Sequence, residues 1–468
     1  MEAKILSIVA KLNAYLSDYI LIILLIGVGL FYSFKTNFVQ VRCFGEGCKK
    51  VFGGFKFRGG KNESGLSSFQ ALATAIAAQV GTGNIVGASG AILIGGPGAI
   101  FWMWVIAFLG MATIYAEAVL AQETRIKDAN GEIHGGPVYY MKKAFPNGFG
   151  TFLSVFFAVA VILALGFMGT MVQSNSIAES FCNAIGTDYT QWGWIIGIVL
   201  AIVSAFIFIG GIKRIASVTE KLVPIMACLF LLGGVVILIA RIQYIPATIG
   251  MIFKYAFTPQ ALIGGGIGAA LKTAISQGAK RGLFSNEAGM GSTPHAHAMA
   301  DVEKPHDQGV VAMSGVFIDT FIVLTMTALV VISCLFAGEG GLAAAPDYAA
   351  AIDAMGVSKT NAMQMSVSNV FGASFGNIFV AICLLFFAFS TIISWNFFGK
   401  VNVEYLCKNN KVATIIYSII AIVFIFLGTT LSNALVWELT DFFNYLMVLP
   451  NAIALIALYK IVANNAKK

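Results

Sequence analysis

The chain has 468 residues, of which 58% are hydrophobic, 50 are Gly and only 11% are charged, whereas an ordinary soluble domain carries about 25% charge. With a mean hydropathy of +0.84, globular packing could not hide the apolar surface, because a domain of this size still exposes many of its side chains. A soluble enzyme is excluded, and the net charge of +7 calls for no nucleic-acid partner once the basic residues are sorted by membrane topology.

Apolar runs fall near 13–34, 66–93, 98–122, 151–181, 191–211, 216–240, 261–290, 309–336, 372–399, 411–430 and 433–461, which predicts eleven transmembrane helices in an all-α polytopic membrane protein. The first run carries Asp18 and is followed by no small-residue cleavage pattern, so it reads as a retained helix. With the amino terminus outside, all of the 29 basic residues except Lys4, Lys11, Arg241, Lys254 and Lys359 fall on one side. The positive-inside rule makes that side, and the carboxyl terminus, cytoplasmic in a plasma membrane. The first loop on that side holds Lys56, Arg58, Lys61 and the sequon Asn62-Glu63-Ser64, which this orientation makes inert. Cys43 and Cys48 have no further Cys or His pair nearby and read as packing or solvent-exposed residues; the seven cysteines suggest no disulfide framework.

In the second run, Ala71 to Gly90 reads ALATAIAAQVGTGNIVGASG, and Gly81-Thr82-Gly83-Asn84 at its centre is poor helix material. Unpaired peptide groups cost several kcal/mol in hydrocarbon, so a break survives there only when packed in protein or lining a site. Freed amides suit a carboxylate, and freed carbonyls suit an ammonium or a cation. The alternative is that small residues merely let helices pack closely. Further along, Glu117 and Glu123 end the third span and read as snorkelling to water. Gln173, in the fourth span among Met168, Met171 and Val172, is placed either to touch substrate or to bond a neighbouring helix.

The seventh span repeats the interruption at Thr273-Ala274-Ile275-Ser276-Gln277-Gly278. The interrupted spans then open two five-helix halves, 66–242 and 261–468, separated by an external connector over 243–260 and preceded by an amino-terminal unit over 1–65. An odd number of spans per half inverts the second copy, and matching interrupted helices are the best sequence pointer to a secondary-transporter site. Lys272 and Asp319, both near mid-membrane on successive spans, are expected to pair or to be reached by water, since each alone is costly there. His295, His297 and His306 lack a convincing further ligand and read as a solvated loop face.

The run Gly95-Gly96-Pro97-Gly98-Ala99-Ile100-Phe101-Trp102-Met103-Trp104-Val105, with Gly110 after it, resembles the signature of the alanine or glycine:cation symporter family, the sodium:alanine carriers. Gly282-Leu283-Phe284-Ser285-Asn286-Glu287-Ala288-Gly289-Met290-Gly291-Ser292 and His134-Gly135-Gly136-Pro137 are similar to it as well. The resemblance implies a leucine-transporter-like fold, a 5+5 inverted-repeat core with two broken helices and one extra amino-terminal helix. It also implies sodium-driven uptake of alanine or glycine, with sodium co-transported. On the fold's Gly-x-Gly-Asn pattern, amides at Thr82 and Gly83 would hold the substrate carboxylate, within a substrate set of Gln79, Gly81, Thr82, Gly83, Asn84 and Gln173. Carbonyls of Gln79, Thr273 and Ala274 and the Ser276 hydroxyl would face the ammonium, Ser276-Gln277-Gly278 being similar to the fold's Ser-x-Gly. Carbonyls of Ala77 and Val80 with hydroxyls of Ser390 and Thr391 would ligate sodium without a carboxylate. Asn286 and Glu287 are assigned to the inner gate. Ala78 stands where related carriers use Asn for a second sodium, which implies one sodium, and no Arg follows the first break to form an outer gate.

The reading is therefore a sodium-coupled importer of small neutral amino acids, embedded in the lipid bilayer and needing no obligate protein partner. A proton-coupled amino-acid carrier is the alternative, and it would require Asp319 or Glu117 to titrate. A channel would need a continuous polar stripe, and a membrane enzyme a convergent nucleophile or metal set; the sequence offers neither.

Overall fold

A computed structural model describes residues 2–53, 66–127, 133–209 and 211–467; Lys56, Arg58, Lys61 and the sequon Asn62-Glu63-Ser64 lie outside the described residues. Among those described the chain is almost wholly helical, with one short hairpin pairing Ile126–Lys127 with Ile133–His134. The helices used below are α1 (Glu2–Lys35), α2 (Phe44–Gly53), α3 (Ser68–Gln79), α4 (Gly83–Gly95), α5 (Ala99–Thr124), α6 (Gly148–Ile185) and α7 (Tyr189–Phe208). They continue with α8 (Arg214–Ala240), α9 (Ile267–Asn286), α10 (Pro294–His297), α11 (Pro305–Phe336), α12 (Ala373–Leu406), α13 (Lys411–Gly428) and α14 (Asn433–Ala457).

Nine helices in the described residues are long and apolar enough to cross a bilayer, ten when the bent pair α3 and α4 counts as one span. The remaining expected span is α9. Its 20 residues include Lys272, Lys280 and Arg281, which keep it out of the apolar set.

Side-chain patterning sorts the helices into layers. α5 is apolar on nearly every face and lies inside, against α1, α9 and α11, as an all-round hydrophobic helix must. α3 packs on α8 and α12, and α6 packs on α12. Ile202 and Phe206 on α7, Leu232 and Ile239 on α8, and Ile415 and Ile419 on α13 are exposed, forming the outward apolar surface expected of helices that face lipid. Small residues permit close approach inside: a Cβ on Gly98 would lie 2.1 Å from the Tyr255 carbonyl carbon.

The first interruption is where the sequence places it. α3 stops at Gln79, Val80 leaves helical geometry at φ −80°, ψ 87°, and α4 departs at 46° to α3. The second is displaced. α9 runs unbroken through Thr273, Ala274, Ser276, Gln277 and Gly278 and ends at Asn286. Glu287 then takes a left-handed conformation at φ 58°, followed by Gly289 at φ 91° and Gly291 at φ 80°. The reason is that the hydroxyls of α9 find partners without breaking its backbone. Ser276 donates to the Asp18 carboxylate of α1 at 2.6 Å, and Thr273 donates to the Ala269 carbonyl one turn back at 3.0 Å. Gly278 is a packing glycine, since a Cβ there would lie 2.5 Å from that of Trp102 on α5. Positive φ, by contrast, is expensive for side chains other than Gly, Asn and Asp, so the glycines after Glu287 mark the true break.

Candidate functional site

The two interruptions meet. Gln79, the last residue of α3, donates its side-chain amide to the Asn286 carbonyl at the end of α9 at 2.7 Å. Gly83 lies against Phe284 and Ser285, where a Cβ would come within 3.0 Å of each. Asn84 closes the first turn beyond the break: its Oδ1 accepts from the Gly81 amide at 3.0 Å, and its Nδ2 donates to Asp319 Oδ1 on α11 at 2.6 Å. Asp319 also accepts from Ser285 Oγ at 2.9 Å and Thr320 Oγ1 at 2.8 Å.

Gln173 of α6 reaches the same place. Its Oε1 accepts from the Thr82 amide at 3.1 Å, so it occupies one of the break's freed donors. Several buried polar atoms around the break have no partner among the described residues: Gln79 Oε1, Thr82 Oγ1 and Gln173 Nε2. Buried polar atoms are normally paired, so these three are free to meet a polar ligand.

On the other face of the break, α12 presents adjacent hydroxyls. Thr391 Oγ1 donates to the Ala77 carbonyl at 2.9 Å and the Ala78 carbonyl at 3.3 Å, and Ser390 Oγ lies 3.3 Å from the Ala77 carbonyl. Gly81 is required by this approach, because a Cβ would lie 2.4 Å from Thr391 Oγ1. Hydroxyl and carbonyl oxygens drawn from two helices make a hard, neutral donor set fit for a monovalent cation. The hydroxyl contacts fall on Ala77 and Ala78, while Val80 supplies the backbone turn.

Thr273, Ala274, Ser276, Gln277 and Gly278 are not in this cluster. Ala274 and Gln277 pack beside Gly95 at the far end of α4, about 16 Å along the helix from Asn84 at 1.5 Å per residue. The ammonium-facing role assigned to Thr273, Ala274 and Ser276 therefore fails on position. Lys272 does not meet Asp319; it lies 3.3 Å from Asp18 and donates to the Tyr19 hydroxyl at 3.1 Å.

Glu117 does not snorkel. It is fully buried and accepts from the Gly289 amide at 3.2 Å, the Gly291 amide at 3.0 Å and Asn451 Nδ2 at 2.6 Å, so it braces the second break. Glu287 accepts from Trp395 Nε1 on α12 at 2.5 Å and from the Ser292 hydroxyl. Among the described residues, Glu117, Glu287 and Asp319 have no cationic side chain within ion-pair distance. The histidines are interior too, not solvated. His295 stacks between Phe157 and Phe398, donating Nδ1–H to the Ser292 carbonyl and accepting from Asn402. His297 accepts from Gln308 at 2.8 Å.

A charged layer covers the side of the break away from α10, and sequence reasoning missed it. Arg281 of α9 holds Asp441 of α14 through two bonds of 3.2 and 2.8 Å, a bidentate pair. Its guanidinium lies 4.7 Å from the Trp437 ring centre, and Lys359 Nζ lies 4.6 Å from the same centre. Phe284 connects this layer to the break, touching Trp437 on one side and Trp395 on the other. The signal available in the sequence was the i, i+4 spacing of Trp437 and Asp441, which puts both on one face of α14.

A family model described as the sodium:alanine symporter family matches residues 2–468. The chain is 41% identical over 465 residues to the sodium/alanine symporter AgcS of Methanococcus maripaludis, covering 98% of this chain and 96% of the relative. It is 36% identical over 460 residues to the amino-acid carrier protein AlsT of Bacillus subtilis, covering 97% and 91%. Among solved structures it resembles MhsT in complex with L-phenylalanine, with a TM-score of 0.58 at 14% identity, covering 87% of this chain and all of that one. That likeness establishes the fold.

Proposed function

The chain belongs to the sodium:alanine symporter family, a family of membrane transporters and not of enzymes, and from that premise we propose that it imports alanine and glycine together with sodium. The observation that carries the reading is the contact of Ser390 and Thr391 with the Ala77 and Ala78 carbonyls, on the same broken helix whose Thr82 amide and neighbouring unpaired side-chain groups face the substrate position. A cation held between α12 and the end of α3 fixes α3 and thereby aims the freed amides of Thr82 and Gly83 at a carboxylate. Each ligand then lowers the ordering cost of the other, which is the coupling free energy a symporter needs.

Within this reading the substrate carboxylate displaces the Gln173 side chain from the Thr82 amide. The Asn286 carbonyl and Gln79 Oε1 take the ammonium, the role first given to α9 residues farther out. The halves 66–242 and 261–468 act as inverted copies rocking about the paired breaks. The amino terminus lies outside, and Arg281, counted by topology with the cytoplasmic basic residues, instead joins Asp441 and Lys359 in the charged layer that closes the outer path.

A second reading rests on Asp319, a buried carboxylate beside Asn84 that has no ion-pair partner among the described residues. As a proton carrier it would couple uptake to a pH gradient. Labelled alanine uptake into proteoliposomes separates the two. An inward sodium gradient is expected to drive accumulation, and Thr391→Ala is expected to reduce it at least tenfold. Accumulation that ignores sodium but follows an imposed pH gradient would transfer the function to Asp319.

A further inference from the structure

Away from the transport site, Cys43, Glu46 and His306 come together at the face carrying the basic loops. One ligand atom from each lies within 4.8 Å of the other two. Cys43 immediately precedes α2, and Glu46 is in its first turn, so their three-residue spacing puts both on one side of the helix. His306 is at the start of α11, directly after Pro305. No motif signals this meeting, since more than 250 residues separate the two segments.

We infer that Cys43, Glu46 and His306 form a binding site for a thiolate-seeking divalent cation such as zinc. Sulfur, imidazole nitrogen and carboxylate oxygen are the ligand types zinc takes, and tetrahedral coordination places its ligand atoms about 3.6 Å apart, a contraction that side-chain rotation supplies. The imidazole is already oriented for it. His306 Nδ1 is engaged by the Tyr115 hydroxyl at 2.8 Å, and the Tyr115 ring meets the imidazole edge to face. This leaves Nε2 facing Glu46 Oε2 at 3.4 Å. A partner on the far ring nitrogen is the usual device for aiming a metal-binding histidine. Cys43 and His306 are buried while Glu46 is exposed, so the site has two fixed ligands and an open side for entry and for a water as fourth ligand. Lys50 lies 3.7 Å from Glu46 and 3.2 Å from Asp307, and it can move wholly onto Asp307 when a cation takes Glu46.

An occupied site clamps α2 to the end of α11, the helix that carries Asp319 at the transport site. The test is zinc binding to the purified full-length chain in detergent, read by competition with a chromophoric zinc chelator. One zinc per chain is expected, with affinity at least tenfold weaker in Cys43→Ser and in His306→Gln and unchanged in Cys48→Ser and Cys407→Ser. Should the buried substitutions disturb folding, the exposed Glu46→Gln gives the same comparison, and its size-exclusion profile verifies the fold. Absence of a stoichiometric zinc in the wild type, or equal binding by Cys43→Ser, His306→Gln and Glu46→Gln, overturns the site.

Discussion

At the scale of single residues, Asp319 distinguishes the two coupling schemes. Its carboxylate collects three donors, from Asn84, Ser285 and Thr320, and through Asn84 it fixes the turn that presents the Gly81 amide. Asp319→Asn removes the charge and turns one acceptor oxygen into a donor group, so the Ser285 and Thr320 hydroxyls that donate to Oδ2 must reverse or lose their bonds, and each buried group left unpaired costs about 1–3 kcal/mol. If the carboxylate only positions the break, sodium-driven accumulation and alanine–alanine exchange fall together, by about tenfold or more. If it carries the coupled proton, exchange survives and only accumulation is lost. Parallel exchange and net-uptake assays on the same vesicles check this, and the expected outcome is the joint loss.

At the scale of elements, the sequence made the first break legible because Gly81 and Gly83 cluster with polar neighbours in an otherwise apolar run, a pattern that has few explanations in hydrocarbon. It misplaced the second for a physical reason: polarity in a helix does not reveal whether side chains are satisfied locally or by another helix. Ser276 and Lys272 are held by Asp18, a residue more than 250 positions away. Lys280 lies 3.5 Å from the same carboxylate. Glu117 was misread likewise, since its donors come from the Gly289 and Gly291 amides of a turn that forms only in three dimensions. The extra helix α1 is thus tied to α9 by the Asp18 carboxylate, with the Lys272–Tyr19 bond beside it. Asp18→Asn is expected to lower the apparent melting temperature of the detergent-solubilised protein by a few degrees, because charge-assisted bonds are the stronger ones. Asn13→Ala, which removes the two α1 bonds to the carbonyl and carboxylate of Glu438 on α14, provides the comparison. Equal melting of wild type and Asp18→Asn would show that the Asp18 charge adds nothing to the hold on α1.

At the scale of the whole molecule, alternating access needs a closure on the side of the break away from α10, and the charged layer there carries its own pH dependence. Lys359 sits in the loop between the short helices Tyr348–Met355 and Ala362–Phe371, with its stem against Gly90 of α4 and its ammonium over Trp437. Burial, followed by the Arg281 charge, pushes Lys359 down to about 7, while Asp441, Glu179 and Glu438 oppose that fall. When the loop lifts away, the ammonium regains water and its ordinary value near 10.5. Between those values the lifted state binds more protons than the closed one, so raising the pH from 7 toward 10.5 favours closure. Below 7 both states are protonated and the preference is flat. Hydrogen exchange of the 356–362 segment, corrected for intrinsic rates, is expected to show greater protection at pH 9 than at pH 7, by at most about tenfold per pH unit. In Lys359→Gln the difference vanishes while Arg281 and Asp441 remain paired. Unchanged protection across that range in the wild type would mean that Lys359 stays in the same surroundings throughout the transport cycle, and closure would then rest on the Arg281–Asp441 pair and the Phe284–Trp437 contact alone.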